Sequence, residues 1–129
     1  MDEAYRKQGI FSWSELMTDD VEAATAYYEK VIGWEVERVD MGDMIYHVLK
    51  ADGNPVGGIM PKPSESEGIP NHWGTYITVD DVDATLALAE ANGGKAMYPP
   101  MDVPDVGRMC AIMDNTGAVV SVITYAETA

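Results

Sequence analysis

At 129 residues, with 47% apolar and 23% charged side chains, the chain has the size and balance of one globular domain able to bury a core. Twenty-two acidic against eight basic residues leave a formal charge of −14, a surface that repels phosphate backbones and argues against a nucleic-acid partner. No stretch approaches the roughly 18 apolar residues of a membrane span, and a single cysteine excludes an internal disulfide.

The opening eight residues are polar and mixed in charge, unlike a signal or transit sequence, so a cytoplasmic location is expected. Residues 10–17 then read as a strand. Asp20 is a good helix N-cap, and Val21, Ala24, Tyr28 and Val31 recur at helical spacing until Gly33 ends the run. Residues 34–39, 44–50 and 56–60 read as strands, separated by turn residues at 40–43 and 52–55. Residues 61–71 carry Pro61, Pro63, Gly68 and Pro70 among Ser and Glu, the composition of a linker. The second half repeats the order. A strand at 73–79 precedes the N-cap Asp81, and Val82, Leu86 and Ala89 carry a helix to Gly93-Gly94. Strands follow at 95–98, 108–113 and 118–125, the last two joined by a turn at 114–117, while residues 102–108 read as a rim loop. Cys110 lies in an apolar run and reads as a small core residue.

The halves share a local signature. Asp20-Val21-Glu22-Ala23 and Asp81-Val82-Asp83-Ala84 are offset by 61 residues, each leading from a strand into a helix. The predicted fold is therefore α+β: two βαβββ modules forming an eight-stranded curved sheet around a concave pocket, with the helices on the outer face. One domain over 9–125 is expected, with module one at 9–60, the linker at 61–71 and module two at 72–125.

Phe11 to Leu16, Asp20 followed by Tyr27-Tyr28, and Gly33-Trp34-Glu35 resemble the first module of the glyoxalase/bleomycin-resistance/dioxygenase superfamily, the vicinal-oxygen-chelate proteins. Tyr76 to Asp83, Gly93-Gly94 and Asp114 to Ala118 resemble the second. The resemblance implies the paired βαβββ fold and, in many members, a divalent metal held by His, Gln or Glu from the first strand of each module and by Glu from the last strands. The matching positions here are Trp13, Gly74 and Ser121, with the fourth-strand position near Gly57-Gly58, a pair that reads as close backbone packing or a bulge. None is an ordinary metal ligand, so neither metal nor other cofactor is expected. A cation site rebuilt from Glu15, His47 and His72 would require those three to converge.

Side chains alternate across a strand. With Trp13 inward, Glu15 and Met17 follow it, and His72, Tyr76 and Thr78 share the face of Gly74; Ser121 shares its own strand's inner face with Val119 and Ile123. If His47 faces outward, Tyr46 faces in. The candidate ligand-binding residues are therefore Trp13, Glu15, Met17, Tyr46, His72, Tyr76 and Ser121, an apolar and aromatic lining with few polar groups. Glu15, an acid in an apolar strand, reads as a structural carboxylate, a cation anchor or a general base. Arg108 reads as a surface residue or a rim contact. No Gly-rich phosphate loop, nucleophile elbow or zinc-type Cys/His spacing occurs.

Three functions fit these residues. The first is a metal-free protein binding a small aromatic or cationic compound, an antibiotic or metabolite, as antibiotic-sequestering relatives are implied to do. The second is a lyase, isomerase or dioxygenase-type enzyme using the same pocket, and the third an accessory domain without chemistry. A homodimer is expected from the resemblance and from open sheet edges.

Overall fold

The computed structural model describes residues 3–63 and 68–127, so part of the expected linker, 64–67, lies outside the described residues. The chain divides into two compact units, one formed by Trp13–Gly74 and the other by Met1–Ser12 with Thr75–Ala129.

The first unit contains most of β1 (Phe11–Thr18), then α1 (Val21–Val31), β2 (Glu35–Asp40), β3 (Ile45–Ala51) and β4 (Asn54–Pro61). Its strands run in the order β2-β3-β4-β1, antiparallel except for the parallel β1–β4 pair. Asp20 starts α1 as expected, its Oδ1 accepting from the Ala23 N–H at 3.0 Å. Beyond the helix Gly33 sits at φ 84°, a left-handed conformation that glycine adopts without steric cost. The apolar face of α1, with Val21, Ala24 and Tyr28, packs on Leu16, Leu49 and Ile59 from three different strands. His47 is buried on this same side, with Nε2 3.5 Å from Glu22 Oε1 of α1.

The second unit contains most of β5 (His72–Thr78), α2 (Val82–Ala91), β6 (Lys95–Ala96), β7 (Met101–Val103), β8 (Gly107–Met113) and β9 (Val119–Tyr125). The order is β5-β9-β8-β6, with β7 also paired to β8 and the β5–β9 pair parallel. Asp81 caps α2 by accepting from the Ala84 N–H at 3.1 Å. Val79, Val82, Cys110, Ile112 and Val122 form the buried cluster, with Leu86 and Ala89 of α2 against it. The N-terminal segment is fastened here: the Thr78 hydroxyl donates to the Tyr5 carbonyl, Arg6 Nη1 donates to the Ala126 carbonyl, and the Asp80 N–H donates to Gln8 Oε1.

The protein is thus α+β, with two helices and nine strands among the described residues rather than the eight expected. The difference lies at 95–103. Pro99 and Pro100 have no backbone N–H to give to a ladder, so the sixth strand, Lys95–Ala96 with one further bond from the Met97 N–H to the Ala111 carbonyl, breaks off before them and the chain rejoins β8 as a strand at Met101–Val103. The expected loop at 102–108 is correspondingly a hairpin arm, stiffened by Arg108, which donates to Asp83 and to Asp102. Among the described residues no helix is long and apolar enough to cross a membrane.

Candidate active face of the first unit

The strand register of the first unit places Glu15 beside Gly58 and Gly58 beside Val48. Because paired residues share a face, Trp13, Glu15, Met17, Tyr46, Val48 and Gly58 lie on the side opposite α1, while His47, Leu49, Leu16 and Ile59 lie beneath the helix. The condition set on His47 is met, and Tyr46 takes the other face.

On that face three of the expected residues form a hydrogen-bonded chain. Trp13 Nε1–H donates to Tyr46 Oη at 2.9 Å, and the Tyr46 hydroxyl donates to Glu15 Oε2 at 2.6 Å. A phenol has one proton, and spending it on Glu15 leaves the oxygen to accept from the indole. The direction of the chain is therefore fixed. Glu15 is 6% exposed, so the bond from Tyr46 is shielded from water, where a hydrogen bond is electrostatically stronger than at the surface. The arrangement depends on Gly58: a β-carbon there would overlap the Tyr46 ring and hydroxyl. Gly57 is needed for a different reason, since a β-carbon on it would run into the Ser14 carbonyl where β1 and β4 lie side by side. Close backbone approach, one of the two readings of Gly57-Gly58 from sequence, holds at Gly57, while Gly58 makes room for a side chain.

The remaining expected residues are distributed as follows. Met17 continues the face along β1, half-buried. His72 is exposed at the start of β5, its Nδ1 2.9 Å from the Pro70 carbonyl oxygen. Tyr76 and Ser121 belong to the second unit, where they are direct partners across β5 and β9. Val122 turns toward α2, so Ser121, Tyr76, Thr78 and Ile123 occupy the opposite side of that unit. Nearby, the Tyr125 hydroxyl donates to Ser12 Oγ at 2.8 Å, and burial pushes the Tyr125 phenol above its ordinary range.

The donor set does not fit the metal that the resemblance implies. Trp13 occupies the first-strand position, and its ring nitrogen carries a hydrogen and has no lone pair for a cation. The fourth-strand position is glycine. Glu15 and His47 lie on opposite faces of the first unit, so the rebuilt trio does not converge. Among the described residues no three His, Cys, Asp or Glu side chains are grouped to hold an ion.

Sequence reasoning did not find the aromatic group on the helix side of this unit. Tyr28 stands 5.5 Å from Trp34 and 5.4 Å from Trp73, centroid to centroid, and the Trp73 indole N–H donates to the Tyr28 hydroxyl at 3.1 Å. The available signals were Trp34 directly after the helix-ending Gly33, and Trp73 one residue from the inward parity assigned to His72.

Two units that each open strand–helix–strand, each leaving one strand face without a helix, define an α+β class of fold. The chain belongs to the Glyoxalase/Bleomycin resistance protein/Dioxygenase superfamily, whose model matches residues 10–122. It is 43% identical over 116 residues to CFP32 of Mycobacterium tuberculosis, provisionally named a glyoxylase, covering 89% of this chain and 44% of that protein. It is 31% identical over 127 residues to the anthracycline biosynthesis protein DnrV of Streptomyces peucetius, covering 88% and 46%. The chain thus spans about half the length of the curated relatives it matches. The methylmalonyl-CoA epimerase of Mycobacterium tuberculosis shares the fold, with a TM-score of 0.62 at 14% identity over 94% of this chain and 93% of that one.

Proposed function

We propose that the chain is a small-molecule-binding protein that works without a metal, its ligand an aromatic or cationic antibiotic or metabolite. The observation that carries this reading is the Trp13–Tyr46–Glu15 chain. It gathers a carboxylate, a phenol and an indole on a face whose nearer neighbours, Met17, Val48 and Gly58, are apolar, with the Lys50–Glu37 ion pair farther out on β3 and β2. A few placed polar groups in an apolar and aromatic setting are the make-up of small-molecule sites. Because the groups are held before any ligand arrives, little ordering is left to be done on binding. A carboxylate on that face, within a chain of net charge −14, favours cations over anions. Trp13 and Tyr46 supply flat surface for an aromatic body, with Met17 beside them, and an anthracycline-related name among the relatives is in keeping with such a ligand. Tyr76 and Ser121, paired across β5 and β9 within the second unit, and the exposed His72 are candidate ligand contacts in their own right.

Calorimetry with three matched planar probes, N-methylacridinium, acridine and acridine-carboxylate, tests it. The cation should bind about tenfold more tightly than the neutral probe, and Glu15→Gln should remove that margin. Equal affinity for all three, or a stoichiometric metal ion found by elemental analysis of the purified protein, overturns the proposal.

One observation favours an enzymatic reading, a lyase, isomerase or dioxygenase-type reaction. A hydroxyl proton shared with a buried carboxylate across 2.6 Å is the arrangement of an acid–base pair, and the name of CFP32 points the same way. Solvent deuterium entering an α-oxo or α-hydroxy carbonyl probe, lost in Glu15→Gln while the probe still binds, would select this reading over simple capture.

The proposal includes a cytoplasmic homodimer. Phe11, Met101 and Val119 are large apolar residues left exposed, the kind of surface a second copy covers. A single 14.0 kDa species in sedimentation equilibrium across the micromolar range would remove it.

A further inference from the structure

The geometry points to a second binding site in the first unit, on the helix-covered side, that takes a small uncharged aromatic molecule with one hydrogen-bonding group. A cavity of about 290 Å³ opens there, lined by Ser14, Trp34, Leu49, Val56, Gly57 and Trp73. It is independent of the face that carries Glu15: Ser14 and Glu15 are successive residues of one strand and point to opposite sides, and Gly57 and Gly58 repeat the alternation on β4.

Its chemistry is set by the lining. None of the six residues is charged, so an ionic ligand would lose its hydration and gain no counter-charge. Trp34 and Trp73 stand 6.1 Å apart at 62°, an edge-to-face pair whose rings also border the cavity. The Trp73 N–H is already given to Tyr28, so what Trp73 offers a ligand is ring surface and no donor. Ser14 contributes the one hydroxyl of the lining and the one side chain there able both to donate and to accept. The volume lies at the lower end for small-molecule sites, roughly 300–1,000 Å³, which suits one or two fused rings and excludes a large polycyclic body. Trp73 and Val56 are both about two-fifths exposed, which leaves the cavity open to entry. Gly57 keeps the floor low: it has no side chain to fill the space, and none could be added against the Ser14 carbonyl.

The test uses saturation-transfer NMR and calorimetry on the full chain with 2-naphthol, naphthalene, naphthalene-2-sulfonate and 2-naphthylmethylammonium at neutral pH. Naphthol is expected to bind at least about tenfold more tightly than either charged analogue. Ser14→Ala should weaken naphthol about fivefold and leave naphthalene unchanged. Val56→Phe, at a partly exposed position, should fill the cavity and compete with both. Glu15→Gln should have no effect on either. The proposal is overturned if neither probe binds up to millimolar concentration, or if the charged analogues bind as well as naphthol. It is also overturned if Ser14→Ala affects naphthol and naphthalene alike, or if Glu15→Gln abolishes binding, which would place the probe on the other face. The acridinium experiment can fail without touching this result, because that test turns on Glu15 and this one on Ser14.

Discussion

Tyr46 lies across Gly58 so closely that the ring fills the space a β-carbon on the glycine would need. The pair belongs to neighbouring antiparallel strands, β3 and β4, and the missing side chain on one lets the large side chain on the other reach β1. Tyr46 thereby gains both of its hydrogen-bond partners on β1, Trp13 and Glu15.

Gly58→Ala should therefore displace the phenol and break the chain. The expected loss is about 1–3 kcal/mol, the usual cost of overpacking, with a changed near-ultraviolet signal from Trp13. A double-mutant cycle isolates the cause: in a Tyr46→Ala background the same glycine substitution should cost little. Additive losses measured by denaturant unfolding would show that Gly58 matters for some reason other than the ring.

Most of the fold is legible in the amino-acid sequence, because its signals are local. Asp20 and Asp81 announce both helices, Gly33 and Gly93 end them, and the apolar spacing between lies on one helix face. The strand count fails where Pro99-Pro100 removes two donors from a ladder, an effect that strand-like residues on either side conceal. For the candidate site, alternation places Trp13, Glu15 and Met17 on one face, and Tyr46 follows from His47 facing the helix. What alternation cannot supply is register. That Tyr46 meets Glu15 depends on the alignment of β3, β4 and β1, which includes a register shift at Leu49–Lys50. The Trp34–Trp73 contact joins residues far apart in the chain and has no periodic trace at all.

Cys110 is predicted to be unreactive in the folded protein. It is fully buried, and burial, with the nearby Asp83 and Glu90 charges adding to it, pushes the thiol above its ordinary range. A thiol reagent such as DTNB at mildly alkaline pH should label it only at the rate of unfolding, and fully in denaturant. Rapid stoichiometric labelling of native protein would contradict the buried placement.

Asp114 should make stability depend on acid. Its carboxylate accepts from the Thr116 hydroxyl at 2.7 Å and from the Thr116 and Ala118 N–H groups at 2.8 and 3.1 Å, which holds it below the ordinary 3.8. A group with a lowered folded value stabilises the fold above its unfolded value and stops doing so as the pH falls through the folded one. The gap in Tm between the parent and Asp114→Ala should be fully present near neutrality and shrink below pH 3.8. A gap that persists unchanged in stronger acid would mean that the turn is held by backbone geometry and not by the carboxylate.

Each unit closes with a parallel pair, β1 on β4 and β5 on β9, whose partners are about forty residues apart in the chain. Hairpins such as β3–β4 and β8–β9 bring near neighbours together and form within roughly 1–10 μs, whereas a loop of that length carries a closure cost of about 3 kcal/mol before any ladder bond forms. On that cost the parallel seams are expected to close after the hairpins. Glu15 is carried on β1 and Tyr46 on β3, so their hydrogen bond cannot exist until the seam has shut. Losing the β1 seam alone therefore dissolves the Trp13–Tyr46–Glu15 chain, even with the β3–β4 hairpin intact.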